Sequence, residues 1–312
     1  MRKKLFLIFF FLFFNLSFSQ ALTHFTKDNS ELTENKIWGI AVDGNGNKWL
    51  GTGESGLIKF DGINWTTYDE NNSEIKGNFI SPIFVDSQNN IWASHSKPNG
   101  LVKFDGLTWT SFSSHDTKLS NNSVIAITED ENGILYFGGS SGLTSYDGEN
   151  WNRIYLPEKV TIRGIAVKNS ELIYVGHNNG LLTYKNGVWE SINDENSELQ
   201  NYVRSIKFDL NGDLIIGYGG NKTGGLSFVN EEGKWTHVNK DNSELSDNLV
   251  RDIEIDRFGL LWLATNNGLN IISNAGITPI YFRERGNAIL DIAIEENVYW
   301  IATHFGLFKI KR

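Results

Sequence analysis

The feature that most constrains this chain is a repeated phrase that fills it from residue 21 to the end. Its marker is a short apolar segment that ends in two small or polar residues. Seven copies of the marker lie at residues 49–52, 92–95, 136–139, 174–177, 215–218, 262–265 and 300–303. Self-similarity at a fixed period is typical of proteins whose repeats pack against their neighbours, so any fold for this chain has to place seven similar units side by side.

Each copy contains four segments with the pattern of β-strands. Strand a alternates apolar and polar residues, as in residues 37–42, and a polar turn joins it to strand b, which carries the marker. Strand c, as in residues 56–60, runs into an Asp-Gly hairpin turn in the first three copies. Strand d opens with a tryptophan in five copies: Trp65, Trp109, Trp151, Trp189 and Trp235. Four antiparallel strands repeated seven times predict an all-β, seven-bladed β-propeller.

The two ends of the chain predict how the ring closes. The seventh copy stops after strand c, at residues 308–310, and has no fourth strand of its own. Residues 23–32 match residues 236–245 closely, and the latter form a strand d with the loop that leaves it. We therefore expect the N-terminal strand to complete the last blade, which removes an exposed sheet edge.

Residues 1–19 have the pattern of a signal peptide. Arg2, Lys3 and Lys4 precede an apolar run at residues 5–14. That run is shorter than the roughly 20 apolar residues of a membrane span. We therefore expect residues 20–312 to form a single propeller domain in the periplasm or outside the cell, with no insertion into a membrane.

The composition limits which classes of partner this chain can have. The chain has no cysteine, which excludes disulfides and thiolate metal sites, and its formal net charge is -9. An acidic protein is a poor non-specific partner for nucleic acid. We expect a monomer without a cofactor whose partner is a glycan, another small molecule or a protein of the cell envelope.

The phrase NSxLxxNxVxxIxxDxxGNxWxGTxxGLxxFDGxxW, clearest at residues 29–65 and 242–270, resembles the two-component regulator propeller repeat. That resemblance implies a sensor-type propeller of the kind found in the periplasmic halves of hybrid histidine kinases, often in polysaccharide-utilising Bacteroidetes. It also implies glycan sensing or protein docking as the function. Because no kinase follows in this sequence, we expect a free-standing relative without its own signalling domain.

A more distant likeness is to streptogramin-lyase-type propellers, through residues 39–43 and 164–167. It implies an alternative function, a metal-assisted lyase that uses His and Glu residues with a magnesium ion. No histidine of this chain matches that catalytic pattern, so no lyase residue is assigned. The enzyme alternative predicts a divalent ion near a histidine, whereas a docking scaffold predicts an exposed apolar patch.

Three arginines share one repeat position at the start of strand a, where propeller loops open onto the central channel. They are Arg163, Arg204 and Arg251, and the same position elsewhere holds Trp38, Ser81, Ile125 and Leu290. Forked guanidinium donors suit a carboxylate, sulfate or phosphate, for example on an acidic glycan, and an indole can stack on an acidic or neutral sugar. The alternative is that these arginines form ordinary surface ion pairs with acids such as Asp252 or Asp291.

The ends of strand b supply the remaining candidate ligand-binding residues. His95, His177 and Tyr218 occupy this position, and His304 lies one place further in its own copy. Imidazoles from facing loops bind metals, but no carboxylate accompanies these residues at ligand spacing, so a structural role is favoured and no metal site is predicted. The long loop at residues 219–225 is the most individual segment and is where we expect ligand specificity.

Overall fold

The computed structural model describes residues 22–96, 100–114, 117–119, 123–140, 142–220, 224–282 and 287–312. The predicted signal peptide at residues 1–19 lies outside these ranges, as do residues 221–223 of the long loop. The described residues form strands and turns, and none of them belongs to a helix that could cross a membrane. The prediction of an all-β protein is confirmed.

The strands form seven sheets of four antiparallel strands, which are the seven blades. In blades one to six the strands of a sheet follow one another in sequence, with the first strand innermost. Blades one to three contain β2 (Ile37–Val42), β3 (Lys48–Thr52), β4 (Leu57–Phe60) and β5 (Trp65–Tyr68); β6 (Phe79–Val85), β7 (Ile91–Ser96), β8 (Gly100–Phe104) and β9 (Trp109–Phe112); and β10 (Val124–Glu129), β11 (Leu135–Gly139), β12 (Gly142–Tyr146) and β13 (Trp151–Ile154).

Blades four to six repeat this arrangement, and blade seven differs in its outermost strand. The strands are β14 (Ile162–Asn169), β15 (Leu172–His177), β16 (Gly180–Lys185) and β17 (Val188–Ile192); β18 (Val203–Phe208), β19 (Leu214–Tyr218), β20 (Leu226–Val229) and β21 (Trp235–Val238); β22 (Val250–Ile255), β23 (Leu261–Thr265), β24 (Gly268–Ser273) and β25 (Gly276–Ile280); and β26 (Ile289–Glu295), β27 (Val298–Thr303), β28 (Gly306–Lys311) and β1 (Leu22–Phe25).

The N-terminal strand closes the ring as predicted. β1 pairs antiparallel with β28, with Leu22 opposite Ile310. The His24 ring stacks on Phe308 at 3.9 Å between centroids, and Phe25 packs against the core between blades seven and one. The last blade therefore joins the two ends of the described chain.

The turn between strands a and b holds a buried carboxylate that explains the recurring aromatic residue of strand b. Asp43 accepts hydrogen bonds from the backbone N–H groups of Asn45 and Asn47, at 2.9 Å each, and from the indole Nε1 of Trp49, also at 2.9 Å. Blades two and six repeat the Asp–Trp contact at Asp86–Trp92 and Asp256–Trp262. An indole buried between blades thus has its one donor satisfied locally.

The core lies between blades, in seven clusters that each combine residues of neighbouring sheets. The glycine of the repeat marker allows this approach. A Cβ added at Gly51 would clash with the carbonyl oxygen of Ile80 in the next blade. The small residue at this place in strand b is therefore required by blade-to-blade packing.

Candidate functional site

The innermost strands surround a central channel with a cavity of about 890 Å³. Each of these strands begins with a β-bulge, where the pairing register with strand b shifts. The bulge falls at the repeat position singled out in the sequence, and bulges redirect side chains. Seven residues, one from each blade, therefore line the channel at its mouth: Trp38, Ser81, Ile125, Arg163, Arg204, Arg251 and Leu290.

Two of the three arginines are tethered in the same way. The Nε of Arg163 donates to Oδ1 of Asn178 at 3.3 Å, and Nη2 of Arg251 donates to Oδ1 of Asn266 at 3.1 Å. Both asparagines stand 15 residues after their arginine, in the loop between strands b and c. Even so, the Nε of Arg251 is buried without a hydrogen-bond partner among the described residues.

The third arginine, in the middle of the cationic side, lacks this tether. The residue at the same spacing from Arg204 is Gly219, and the ring of Tyr202 lies where a side chain at Gly219 would be. Among the described residues the side chain of Arg204 has no hydrogen bond or salt bridge. Burial lowers the pKa of Arg204 and the charges of Arg251 and Arg163 lower it further, whereas Tyr202 and Asp252 act in the opposite direction. The channel mouth thus holds a guanidinium between two others without a directly bonded partner.

The acids expected as ion-pair partners have other roles. Asp252 accepts the backbone N–H of Ile292 at 3.3 Å, and Asp291 accepts that of Ile40 at 2.8 Å, so each carboxyl group bridges to the next blade. Burial and the nearby carboxylate of Asp252 raise the pKa of Asp291 well above its ordinary value. None of the ion pairs among the described residues joins a mouth arginine to either acid. The structure therefore differs from the ordinary-ion-pair alternative.

Trp38 and His304 are brought together at the mouth. Their ring centroids are 4.6 Å apart in an edge-on arrangement, and the ring of Phe79 is tilted against the indole at 5.3 Å. The Nε2 of His304 is buried without a hydrogen-bond partner among the described residues. Burial, with the positive charges of Arg251 and Lys36, lowers the pKa of His304. These surroundings favour the neutral form of the imidazole, which adjoins the cationic side.

The other three candidate residues lie apart from the channel lining. His95 and His177 are both buried at the ends of their strands, and Nδ1 of His177 accepts the backbone N–H of Asn179 at 3.3 Å. Tyr218 is fully buried, with its hydroxyl 2.6 Å from Oγ of Ser227. Within the ranges that the structure describes, no group of three or more His, Cys, Asp or Glu side chains is arranged to hold a metal ion.

A chain of polar groups continues from Tyr218 through blade five. The Oγ of Ser227 lies 2.7 Å from Nδ1 of His237, and Nε2 of His237 lies 3.6 Å from Oε2 of Glu198. These are the residue types of a hydrolase triad. Ser227 has 0% exposure, so no substrate reaches its hydroxyl. The arrangement satisfies buried polar groups between strands and does not form an active site.

Sequence reasoning missed the residues that distinguish the three arginines. Asn178, Asn266 and Gly219 occupy one repeat position, and of these three only the glycine has no side-chain acceptor. Tyr202 stands two residues before Arg204 and has a positive φ of 68°. The signal available in the sequence was the Asn-to-Gly difference at a constant spacing from each arginine.

A known protein family has the same repeat as this chain. Residues 118–141 and 244–267 match the two component regulator propeller family, which confirms the resemblance seen in the sequence. No curated protein matches the chain by sequence.

Solved structures of low sequence identity share the fold. The extracellular domain of a hybrid two component system from B. thetaiotaomicron is 22% identical with a TM-score of 0.78, over 93% of this chain and 42% of that domain. A virginiamycin B lyase from Staphylococcus aureus with quinupristin is 14% identical with a TM-score of 0.77, over 94% and 99% of the two chains. PorZ, a surface component of the type-IX secretion system of Porphyromonas gingivalis, is 18% identical with a TM-score of 0.66, over 89% and 47%.

These likenesses show that the chain shares the propeller fold. The chain spans less than half the length of that extracellular domain.

Proposed function

We propose, from the premise that this chain is a propeller of two-component regulator repeats, that it is an exported ligand-binding module whose channel mouth binds an anionic group. The proposal rests on one observation, which is that the side chain of Arg204 has no hydrogen bond or ion pair among the described residues. The guanidinium of Arg204 lies partly buried near Arg163 and Arg251. A partly buried charge without a partner is costly, whereas an incoming anion would satisfy it.

The neighbouring groups support the same chemistry. Arg251 Nε and His304 Nε2 are buried nitrogens without partners among the described residues, and both adjoin the cationic side. Forked, planar donors suit a carboxylate, sulfate or phosphate group. Binding on a rigid ring needs little rearrangement, so specificity follows from which side chains the bulges present.

The ligand predicted from the sequence is an acidic glycan or another small molecule, and the place is the periplasm or the cell exterior. Some of the structurally similar proteins are extracellular domains, which supports that location. One similar protein is a surface component of a secretion system, so an envelope protein with an acidic segment is a second class of ligand for the same mouth.

The test is a thermal-shift titration of residues 20–312 with galacturonate oligomers, inorganic sulfate and inorganic phosphate, each compared with neutral galactose oligomers. A ligand at 100 times its dissociation constant stabilises the folded state by about 2.7 kcal/mol. We expect at least one anion to stabilise the protein and Arg204→Gln to abolish the shift.

Arg153→Gln is the matched control, because Arg153 is exposed on the outermost strand of blade three, away from the channel. The control variant should respond like the wild type. Anions that shift the wild type and Arg204→Gln equally, or that shift neither, would overturn the proposal.

A further inference from the structure

The mouth has two chemically different halves. Blades four, five and six present guanidinium groups, whereas the rest of the ring presents Trp38, Ile125 and Leu290 with Ser81 among them. In a ring of seven, blade five stands opposite the pair formed by blades one and two. Arg204 therefore faces Trp38 and Ser81 across the channel.

We infer that the ligand is a small amphipathic monoanion, with one carboxylate or similar group at Arg204 and a flat apolar ring against Trp38. This inference rests on the proposed function and specifies its ligand class. The apolar half offers a single side-chain hydroxyl, that of Ser81, to a ligand lying across it. A fully hydroxylated sugar would leave most of its polar groups there without side-chain partners, whereas an aryl group would not.

The apolar wall is held in place before a ligand arrives. Phe79 is tilted against Trp38 at 5.3 Å between ring centroids, and the imidazole of His304 meets it edge-on at 4.6 Å, so two neighbouring rings hold the indole in place. A side chain fixed by packing loses little conformational freedom on binding. The wall therefore contributes affinity for a ring whose face matches the indole.

The residues just below the mouth limit how many anionic groups a ligand can carry. The next residue of each innermost strand is small in most blades, as at Gly39 and Gly164, but it is Asp252 in blade six and Asp291 in blade seven. A second anionic group reaching down the channel would meet these two carboxyl groups at that level and no guanidinium, so it would lack a cationic partner there. One anionic end therefore stays at the mouth, beside Arg204.

The experiment is calorimetric titration of residues 20–312 with three probes: 2-naphthoate, its neutral analogue 2-naphthylmethanol, and the polar acid D-galacturonate. We expect 2-naphthoate to bind at least about tenfold more tightly than either other probe, because only it uses both halves. Trp38→Ala should weaken 2-naphthoate about tenfold and leave D-galacturonate nearly unchanged. Tyr155→Ala, at an exposed aromatic residue away from the channel, is the control.

The outcomes separate this inference from the proposed function. If D-galacturonate binds as tightly as 2-naphthoate and both depend on Arg204, the amphipathic ligand is wrong and the anion site stands. If neither acid depends on Arg204, both proposals fail. Should Trp38→Ala not fold, Leu290→Asn and Ile125→Asn test the same half, and unchanged 2-naphthoate binding in both would overturn the inference.

Discussion

Charged groups in the a–b turns have several hydrogen-bond partners, whereas a charged group at the channel mouth has none among the described residues. In the turn of blade six, Asp256 is 1% exposed and accepts two backbone N–H groups, the indole of Trp262 at 3.2 Å and the hydroxyl of Tyr299 at 2.8 Å. At the mouth, Arg204 has no such partner among the described residues. A buried charge with every partner present belongs to the fold, whereas one left without partners is a candidate for binding.

Removing β1 should have the largest effect, because it tests whether the fold depends on ring closure. Deleting residues 22–25 leaves β28 as an exposed edge and removes the ring contacts of His24 and Phe25. We expect cooperative thermal unfolding to be lost, because the blades depend on a closed ring. Calorimetry checks this, with Leu22→Ala as a mild control. A truncated protein that melts sharply at the full-length temperature would contradict the role of closure.

Asp256→Ala tests whether a fully partnered carboxylate is structural. The change leaves several buried hydrogen-bond donors without an acceptor, so we expect a loss of about 3 kcal/mol or more in the free energy of unfolding. Asp209→Ala is the matched control, since Asp209 accepts only local groups of its own turn and has Ile215 where blade six has an indole. Urea denaturation measures both. Equal losses would remove the special role of the indole contact.

Acid should weaken the turns at the ends of strand c. Hydrogen bonds from the backbone and side chain of Asn64 lower the pKa of Asp61 to about 2, and those from Thr108 lower that of Asp105 to about 2. Because the pKa in the folded state is below the ordinary value of 3.8, the ionised carboxylate stabilises the fold at pH values above 3.8. This stabilisation is lost as the pH falls towards 2. Urea midpoints should therefore drop between about pH 4 and pH 2. The double variant Asp61→Asn with Asp105→Asn should show a smaller drop than the wild type.

The smallest effect is expected at the mouth itself. Arg204→Gln removes a charge that has like neighbours and no partner, so the free energy of unfolding should change by less than about 0.5 kcal/mol, in the stabilising direction. Arg251→Gln, which loses the tether to Asn266, should be destabilising by about 1 kcal/mol. A clear loss of stability in Arg204→Gln would place that arginine with the structural groups.

The sequence was sufficient for the fold because its repeat marks strands, turns and closure together. It also showed that the mouth residues share one repeat position, and the structure adds the bulge that turns them towards the channel. The Asn-to-Gly difference between the copies is visible in the sequence, but its effect on Arg204 is not, because the contact between Arg163 and Asn178 depends on how the b–c loop folds back over the bulge. Tyr218 was misleading for a related reason: the end of strand b packs between blades, and an aromatic residue there is as consistent with the core as with a site.

The pairing of Leu22 with Ile310 has a consequence for the order of events in folding. Six sheets consist of consecutive strands, whereas the seventh joins segments nearly the whole chain apart, and contacts of high sequence separation generally form slowly. The mouth spans this seam, since Leu290 belongs to blade seven and Trp38 to blade one. We therefore expect the mouth to be complete only once blades seven and one have met, at the place where the two ends of the described chain pair.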